Sequence, residues 1–201
     1  MNEQTHLSLH GLAVKNHATA HAVAALLGLD AVIVAEHLTA AVQSGRCVEM
    51  GDRYLLTPAG RMIVEANYSR YFASARADQS FNAAHGRFEI INDELKQLIT
   101  DWQTIKVGGT PLANDHSDGA YDEKIVARLA RLHDKTLPIL AAFAIVLPRF
   151  AHYMTKLQAA LTRVEDGESA WLSEVAIASY HSVWFELHED LLRVLGRTRT
   201  Q

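Results

Sequence analysis

The residues best suited to chemistry lie close together near the carboxyl end of the sequence. His181, Trp184 and His188 have the spacing of side chains on one face of a helix, and Tyr180 lies beside them. Paired histidines that bind a metal from one helix usually lie a single turn apart, whereas these two lie two turns apart. The spacing therefore favours a buried aromatic stripe, or an apolar ligand pocket with imidazole hydrogen-bonding groups, over a metal site.

A second polar group lies at residues 114–118, which read Asn-Asp-His-Ser-Asp. Clustered residues of these types form tight turns and cap helices, so one interpretation is a structured loop ahead of a helix that begins near Tyr121. The other is that the loop folds over residues 180–189 and binds a small metabolite, either anionic or partly aromatic. On that second interpretation the ligand-binding residues are Asp115, His116, Tyr180, His181, Trp184 and His188.

No recognisable catalytic or cofactor motif accompanies these residues. The sequence contains no G-x-S-x-G, H-E-x-x-H or C-x-x-C pattern, and Gly108-Gly109 is followed by Thr110-Pro111 instead of the lysine of a phosphate-binding loop. Cys47 is the single cysteine, which excludes a disulfide framework and a cysteine-based zinc site. We therefore expect no catalytic residues, no metal and no cofactor, and a protein that is not an enzyme.

The composition is that of a folded helical protein. Hydrophobic residues make up 49% of the 201 residues and charged residues 21%, with only 4 prolines, which excludes a disordered chain. The net charge of −4 lacks the basic excess typical of nucleic-acid binders. The amino terminus lacks the basic-then-apolar order of a signal peptide, and no apolar run reaches the roughly 20 residues needed to cross a bilayer. We expect a cytoplasmic protein with no membrane segment.

Residues 1–65 carry the local signals of a small domain made of short helices and one hairpin. Thr19 and Asp30 are predicted to cap successive helices. Strand-like runs on either side of Gly51-Asp52 predict a β-hairpin, and Thr57-Pro58 marks the start of another helix. The order helix, helix, turn, helix, strand, turn, strand is that of a winged helix-turn-helix with the hairpin as its wing.

The rest of the chain, residues 66–201, is predicted to form an antiparallel helical bundle. Apolar residues from Phe88 to Trp102 follow one helical stripe. The glycine-rich stretch 106–119 is expected to be a loop. Other expected elements are an uninterrupted helix over 59–76, a new helix after Pro138 and a last helix over 171–195. The predicted fold class is mainly α, with the winged helix-turn-helix first and the bundle second.

Three stretches of the first domain carry a resemblance to a known family. They are LLGLD at 26–30, a VxxxLxxAxxxG helix at 34–45 and RYLLTPAGR at 53–61. Together they resemble the MarR-like winged-helix regulators. The resemblance implies that residues 1–65 bind double-stranded DNA, with the helix over 31–44 in the major groove.

Four motifs of the second domain carry another resemblance. They are DWQ at 101–103, NDHSDGAYD at 114–122, LPRFAHY at 147–153 and YHSVWFELHEDLLRVLGRTR at 180–199. They are similar to a helical domain that follows a winged helix in actinobacterial proteins, some of them fused to pyruvate phosphate dikinase-like modules. This resemblance implies an architecture and transfers no catalytic residues.

The helix over 31–44 offers few side chains of the types that usually read base edges, which are arginine, lysine, asparagine and glutamine. Cations that could bind phosphates are also few, so the affinity of one subunit for DNA would be weak and salt-sensitive. We therefore expect a homodimer. The predicted DNA-binding residues are Lys15, Thr19, Glu36, His37, Gln43, Arg46 and Arg53.

Two functions remain open at this point. The first is a DNA-binding transcriptional regulator that acts as a homodimer, with residues 66–201 joining the subunits and sensing a small metabolite. The alternative is a regulatory module without DNA affinity that binds a partner enzyme, such as a phosphoenolpyruvate-utilising phosphotransferase. Arg53 in the wing favours the first function, and the acidic Glu36 in the recognition helix favours the second.

Overall fold

The computed structural model of the chain describes residues 1–107 and 109–197. It is mainly helical with a small antiparallel sheet, which confirms the predicted mainly α class. Gly108 of the predicted loop and residues 198–199 of the last motif lie outside the described residues. Within those described ranges, no helix has the length and apolar character needed to span a membrane.

The chain divides into two compact units. One comprises Met1–Asp78 together with the segment that starts at Glu186, and the other comprises Gln79–Phe185. The end of the chain thus belongs with its beginning, an association that local sequence patterns do not predict.

The first unit contains short helices and a three-stranded antiparallel sheet. Its elements are α1 (Glu3–Lys15), β1 (His17–Ala18), α2 (Ala20–Leu27), α3 (Ala31–Gln43), β2 (Cys47–Met50), β3 (Arg53–Leu56), α4 (Pro58–Tyr71) and α5 (Ala73–Ala77). Strand β3 lies between β1 and β2. In the β2–β3 pair Val48 lies opposite Leu55, and Met50 lies opposite Arg53. The hairpin predicted around Gly51-Asp52 is therefore confirmed.

Side-chain caps start the helices of this unit where the sequence predicts them. The Thr19 hydroxyl accepts a hydrogen bond from the Ala22 amide at 3.1 Å at the start of α2. Asp30 Oδ1 accepts one from the Val32 amide at 2.7 Å at the start of α3, and Thr57 caps α4 in the same way. Each cap satisfies an amide that the first helical turn leaves unpaired, and is worth about 1 kcal/mol.

The core of the first unit lies where α1, α2 and α3 pack together. Leu9, Leu12, Val23, Val34 and Leu38 are completely buried there. Truncating a side chain in such a position costs about 2–5 kcal/mol, because the cavity that remains collapses only in part. Burial of one face of α3 in this core leaves its opposite face in solvent.

The helix predicted over residues 59–76 is interrupted, so that prediction is wrong. Helix α4 ends at Tyr71, Phe72 has φ −113° and ψ 19°, and α5 begins at the next residue. The Phe72 ring is buried against the rings of His6 and His10, with centroids 5.9 and 5.3 Å away. Packing against a helix remote in sequence accounts for the break. The predicted domain boundary after residue 65 lies inside α4.

The second unit is built on a long helical hairpin. Its elements are α6 (Gln79–Gln103), β4 (Thr104–Val107), β5 (Thr110–Ala113), α7 (Gly119–Val146), a 3-10 helix (Pro148–Phe150), α8 (Ala151–Glu165), α9 (Ala170–Ser173) and α10 (Tyr180–Leu195), which continues into the segment assigned to the first unit. Helix α6 buries the stripe from Phe88 to Trp102, as predicted. Helix α7 packs along α6, and the β4–β5 hairpin joins the two.

Residues 106–119 do not form the simple loop that their glycines predict. Thr104 pairs with Ala113, and the antiparallel ladder continues from there toward the turn. Pro111 is compatible with this hairpin because a two-stranded ladder leaves alternate amides facing outward.

Two predicted helix boundaries are also wrong. Helix α7 runs through Pro138 instead of restarting after it. The helix expected from residue 171 is divided, because α9 ends at Ser173 and α10 starts at Tyr180. The Ser179 hydroxyl accepts a hydrogen bond from the Ser182 amide at 3.2 Å, so α10 has a cap of its own.

Candidate functional site

The outer face of α3 is the candidate nucleic-acid interface. Val34 and Leu38 face the core, whereas Glu36 and Gln43 are exposed. His37 is half-buried, and its Nδ1 atom lies 2.9 Å from the Ser8 hydroxyl oxygen of α1. Of the three residues predicted to face base edges, the two exposed ones are free to reach a groove, and His37 is held toward α1.

The predicted phosphate contacts differ in how available they are. Arg53 is exposed at the start of β3, and Arg46 is half-buried ahead of β2. The Lys15 ammonium group forms an ion pair with Glu186, which neutralises its charge. The Thr19 hydroxyl is occupied as the cap of α2. Arg53 is therefore the most accessible of the four.

The surface around α3 and the hairpin has no basic excess. Arg46 and Arg53 are accompanied by Glu36, Glu49 and Asp52, all three of which are exposed. An anionic duplex gains binding energy mainly from unopposed cations. With no excess of positive charge, this surface does not favour tight binding of DNA.

Exposed apolar side chains occupy the same surface. Val32 and Ile33 in the first turn of α3 are 66% and 43% exposed, and Met50 at the end of β2 is 62% exposed. Apolar side chains left together in solvent are typical of contact with another protein.

Two predicted ligand residues of α10, Tyr180 and Trp184, are part of a packed core. The Trp184 indole nitrogen donates a hydrogen bond to Asn92 Oδ1 at 3.0 Å, and its ring stacks on Phe88 with centroids 4.9 Å apart. The Tyr180 hydroxyl lies 3.3 Å from His133 Nδ1, and burial raises the pKa of Tyr180 well above its usual range. Both aromatic residues thus have satisfied polar atoms, as the buried-stripe interpretation predicts.

The two histidines of the stretch fall in different units of the chain. His181 is half-buried and belongs to the second unit, whereas His188 is buried and belongs to the segment grouped with the first.

The 114–118 loop is a turn that leads into α7. His116 Nδ1 lies 2.9 Å from Asp122 Oδ2, and its ring lies over Trp102 with centroids 4.4 Å apart. Asp115 accepts hydrogen bonds from the side chain and the backbone of Ser117, which lower the pKa of its carboxyl group. Asp118 caps α7.

The two predicted ligand groups lie against different parts of α6. Trp184 contacts Asn92, whereas His116 contacts Trp102. Residues 92 and 102 are separated by about 15 Å along a helix that rises ~1.5 Å per residue. The described contacts therefore do not bring the loop and the tryptophan into one pocket.

A buried hydrogen-bond chain that the sequence does not predict lies in the first unit. His10 Nε2 is 2.8 Å from Asp190 Oδ1, and His10 Nδ1 is 3.1 Å from the Tyr68 hydroxyl. Burial raises the pKa of Tyr68 to about 12, against the opposing effect of Arg193. The side chains of His10 and Asp190 are fully buried, so the chain anchors α10 to α1 and α4 instead of contacting a substrate. Its members lie too far apart in sequence for any local pattern to join them.

The described residues contain little that suggests reactive chemistry. Burial raises the pKa of the Cys47 thiol to about 11, which keeps it protonated and unreactive. Within ranges 1–107 and 109–197, no three histidine, cysteine, aspartate or glutamate side chains come together to hold a metal ion.

Comparisons of the chain with protein-family models, with curated proteins and with solved structures find no significant match.

Proposed function

We propose that the chain is a winged-helix regulatory protein that binds duplex DNA as a homodimer through α3 and the β2–β3 hairpin. The observation that carries the proposal is the arrangement of the first unit: α1, β1, α2, α3 and a hairpin, with β3 central in the sheet and the outer face of α3 in solvent. Winged helix-turn-helix domains use this arrangement to insert the second helix of the motif into the major groove.

In this proposal the exposed Arg53 and the half-buried Arg46 bind phosphates, while the exposed Glu36 and Gln43 face the bases. Two arginines per subunit are too few for tight binding, which is the reason for a homodimer. The second unit joins the subunits and binds a small effector.

A second candidate is a regulatory module that binds a partner enzyme. Its specific support is the first turn of α3, where Val32 and Ile33 are exposed, in a helix that carries no lysine or arginine. The resemblance to domains found with pyruvate phosphate dikinase-like modules suggests a phosphoenolpyruvate-utilising phosphotransferase as that partner.

A mobility-shift assay at low salt, with the DNA upstream of the protein's own gene, separates the two candidates. The proposal predicts a retarded band that Arg53→Ala weakens and that Arg87→Ala, at an exposed arginine of α6, leaves unchanged. If no duplex is retarded, DNA binding is overturned. Binding of the phosphoenolpyruvate-utilising phosphotransferase by the wild type, and its loss in Val32→Asp, would then support the second candidate.

A further inference from the structure

A groove with a volume of about 390 Å³ runs between α6 and α7. Its walls are side chains of α6 between Glu94 and Leu98, and of α7 between Arg128 and Lys135. All of them belong to the second unit. The groove is separate from the aromatic stripe of α10 and from the 114–118 loop, so it is a site that the sequence motifs do not indicate.

Charged residues line up along the two helices of this groove. Lys135 Nζ lies 2.8 Å from Glu94 Oε2, and Arg128 Nη1 lies 2.7 Å from Asp101 Oδ2. The later of the two α7 residues, Lys135, pairs with the earlier of the two α6 residues, Glu94, as expected for antiparallel helices. Because each of the two cations has its own carboxylate, neither adds much net charge to the groove.

Arg131 breaks this pattern of paired charges. It lies between the two paired cations of α7, and the α6 residue in the same groove at that level is the neutral Gln97. The amide of Gln97 donates a hydrogen bond to Asp101 Oδ1 at 2.7 Å. Arg131 has no ion pair within residues 1–107 and 109–197. The groove therefore contains one uncompensated guanidinium group.

The floor of the groove is apolar. Leu98 and Leu132 lie at its base with only 1% and 3% of their surfaces exposed, so the methylene stems of Arg128, Arg131 and Lys135 supply most of the apolar surface that a ligand can reach. A guanidinium group binds a carboxylate or a phosphate through paired hydrogen bonds, and an apolar floor adds affinity for a hydrocarbon body. The volume is at the small end of the range of ~300–1,000 Å³ typical of ligand pockets.

We propose that the α6–α7 groove binds a small organic anion, with its single anionic head on Arg131 and its apolar body along the methylene stems that lie above Leu98 and Leu132. The role of this anion as the effector of a DNA-binding protein rests on the proposed function, whereas the binding itself does not. The signal in the sequence is the matching spacing of Arg128, Arg131 and Lys135 with Glu94, Gln97 and Asp101.

Calorimetric titration of the full chain without DNA tests the site. The probes are octanoate, its neutral analogue 1-octanol, and inorganic phosphate. We expect saturable binding of octanoate to one site per chain, and binding at least about tenfold weaker for 1-octanol and for phosphate. Equal binding of 1-octanol would overturn the role of the guanidinium group, and equal binding of phosphate would overturn the apolar floor.

Two variants assign the binding to this groove. Arg131→Gln removes the cation, and Gln97→Glu places a carboxylate opposite it, so both should weaken octanoate binding at least about tenfold. Arg87→Gln, at an exposed position elsewhere on α6, should leave it unchanged. Wild-type affinity in both groove variants, or no saturable binding by the wild type, overturns the site. A failure of DNA binding alone leaves this result unaffected, because the titration contains no DNA.

Discussion

His6 lies in an environment that is unfavourable for its charged form. Its side chain is 1% exposed and stacks on Tyr71 with ring centroids 4.4 Å apart. Neither ring nitrogen has a hydrogen-bond partner among the described residues. Burial, with a smaller contribution from His10, lowers the pKa of His6 from 6.5 to about 4. The fold therefore holds this imidazole neutral.

We predict that the first unit loses stability in acid because of His6. In the unfolded chain His6 takes up a proton near pH 6.5, and in the folded chain only near pH 4. The stability that comes from keeping His6 neutral is therefore complete above pH 6.5 and is lost as the pH falls toward 4. The loss amounts to about 3 kcal/mol. The free energy of unfolding, measured in urea, should differ between pH 7 and pH 4.5 by roughly 2 kcal/mol less in His6→Phe than in the wild type.

Leu7→Ala is the control for this experiment, because it removes packing at a neighbouring half-buried position without removing a titrating group. It should lower the free energy of unfolding similarly at both pH values. A pH dependence in His6→Phe as steep as that of the wild type would contradict the account.

At the scale of elements, the start of α4 packs tightly against the segment before the β2–β3 hairpin. The Thr57 hydroxyl donates to the Gly45 carbonyl oxygen at 2.9 Å, and the Thr57 amide donates to the Arg46 carbonyl oxygen at 3.0 Å. A Cβ atom at Gly60 would overlap that same Arg46 carbonyl oxygen. Only glycine permits this approach between α4 and the strand that follows α3.

We predict that Gly60→Ala destabilises the protein by about 3 kcal/mol, because the clash is with backbone that cannot rotate away. Gly86→Ala is the matched control, since Gly86 is exposed on α6 and a Cβ there meets nothing within 4 Å. This control should stabilise by about 0.5–1 kcal/mol from helix propensity. Equal unfolding midpoints for the two variants in urea would refute the packing argument.

The sequence predicts well those features whose structure is determined by residues close to each other in the chain. The caps at Thr19 and Asp30 and the hairpin turn at Gly51-Asp52 depend on contacts within a few residues, and all are found. The break at Phe72 depends on packing against α1, and no local pattern contains that information.

Local sequence patterns are likewise insufficient to predict how the candidate sites are assembled. The aromatic stripe of α10 and the 114–118 turn are each recognisable in sequence, but they meet different parts of α6. Whether two local groups share a pocket depends on the register of packed helices. The α6–α7 groove has no signal within one segment, because its charge pattern appears only when α6 and α7 are aligned antiparallel.

At the scale of the whole molecule, the proposed function requires two copies. The proposal assigns Arg46 and Arg53 of each subunit to phosphate binding. We therefore predict that sedimentation at micromolar concentration gives the mass of a dimer, about twice the 22.2 kDa of one chain. A monomer under those conditions would contradict the homodimer.

The salt dependence of DNA binding tests the central claim most directly, because it counts the phosphates that the protein neutralises. Two arginines from each of two subunits give about four contacts, hence a slope near −3.6 for log K against log salt. Fluorescence anisotropy with a labelled duplex, from about 50 mM salt upward, should give that slope, and Arg53→Ala should reduce it to about −2. Absence of binding at the lowest salt, or a slope that Arg53→Ala leaves unchanged, would contradict the assignment of α3 and the hairpin as a DNA-binding surface.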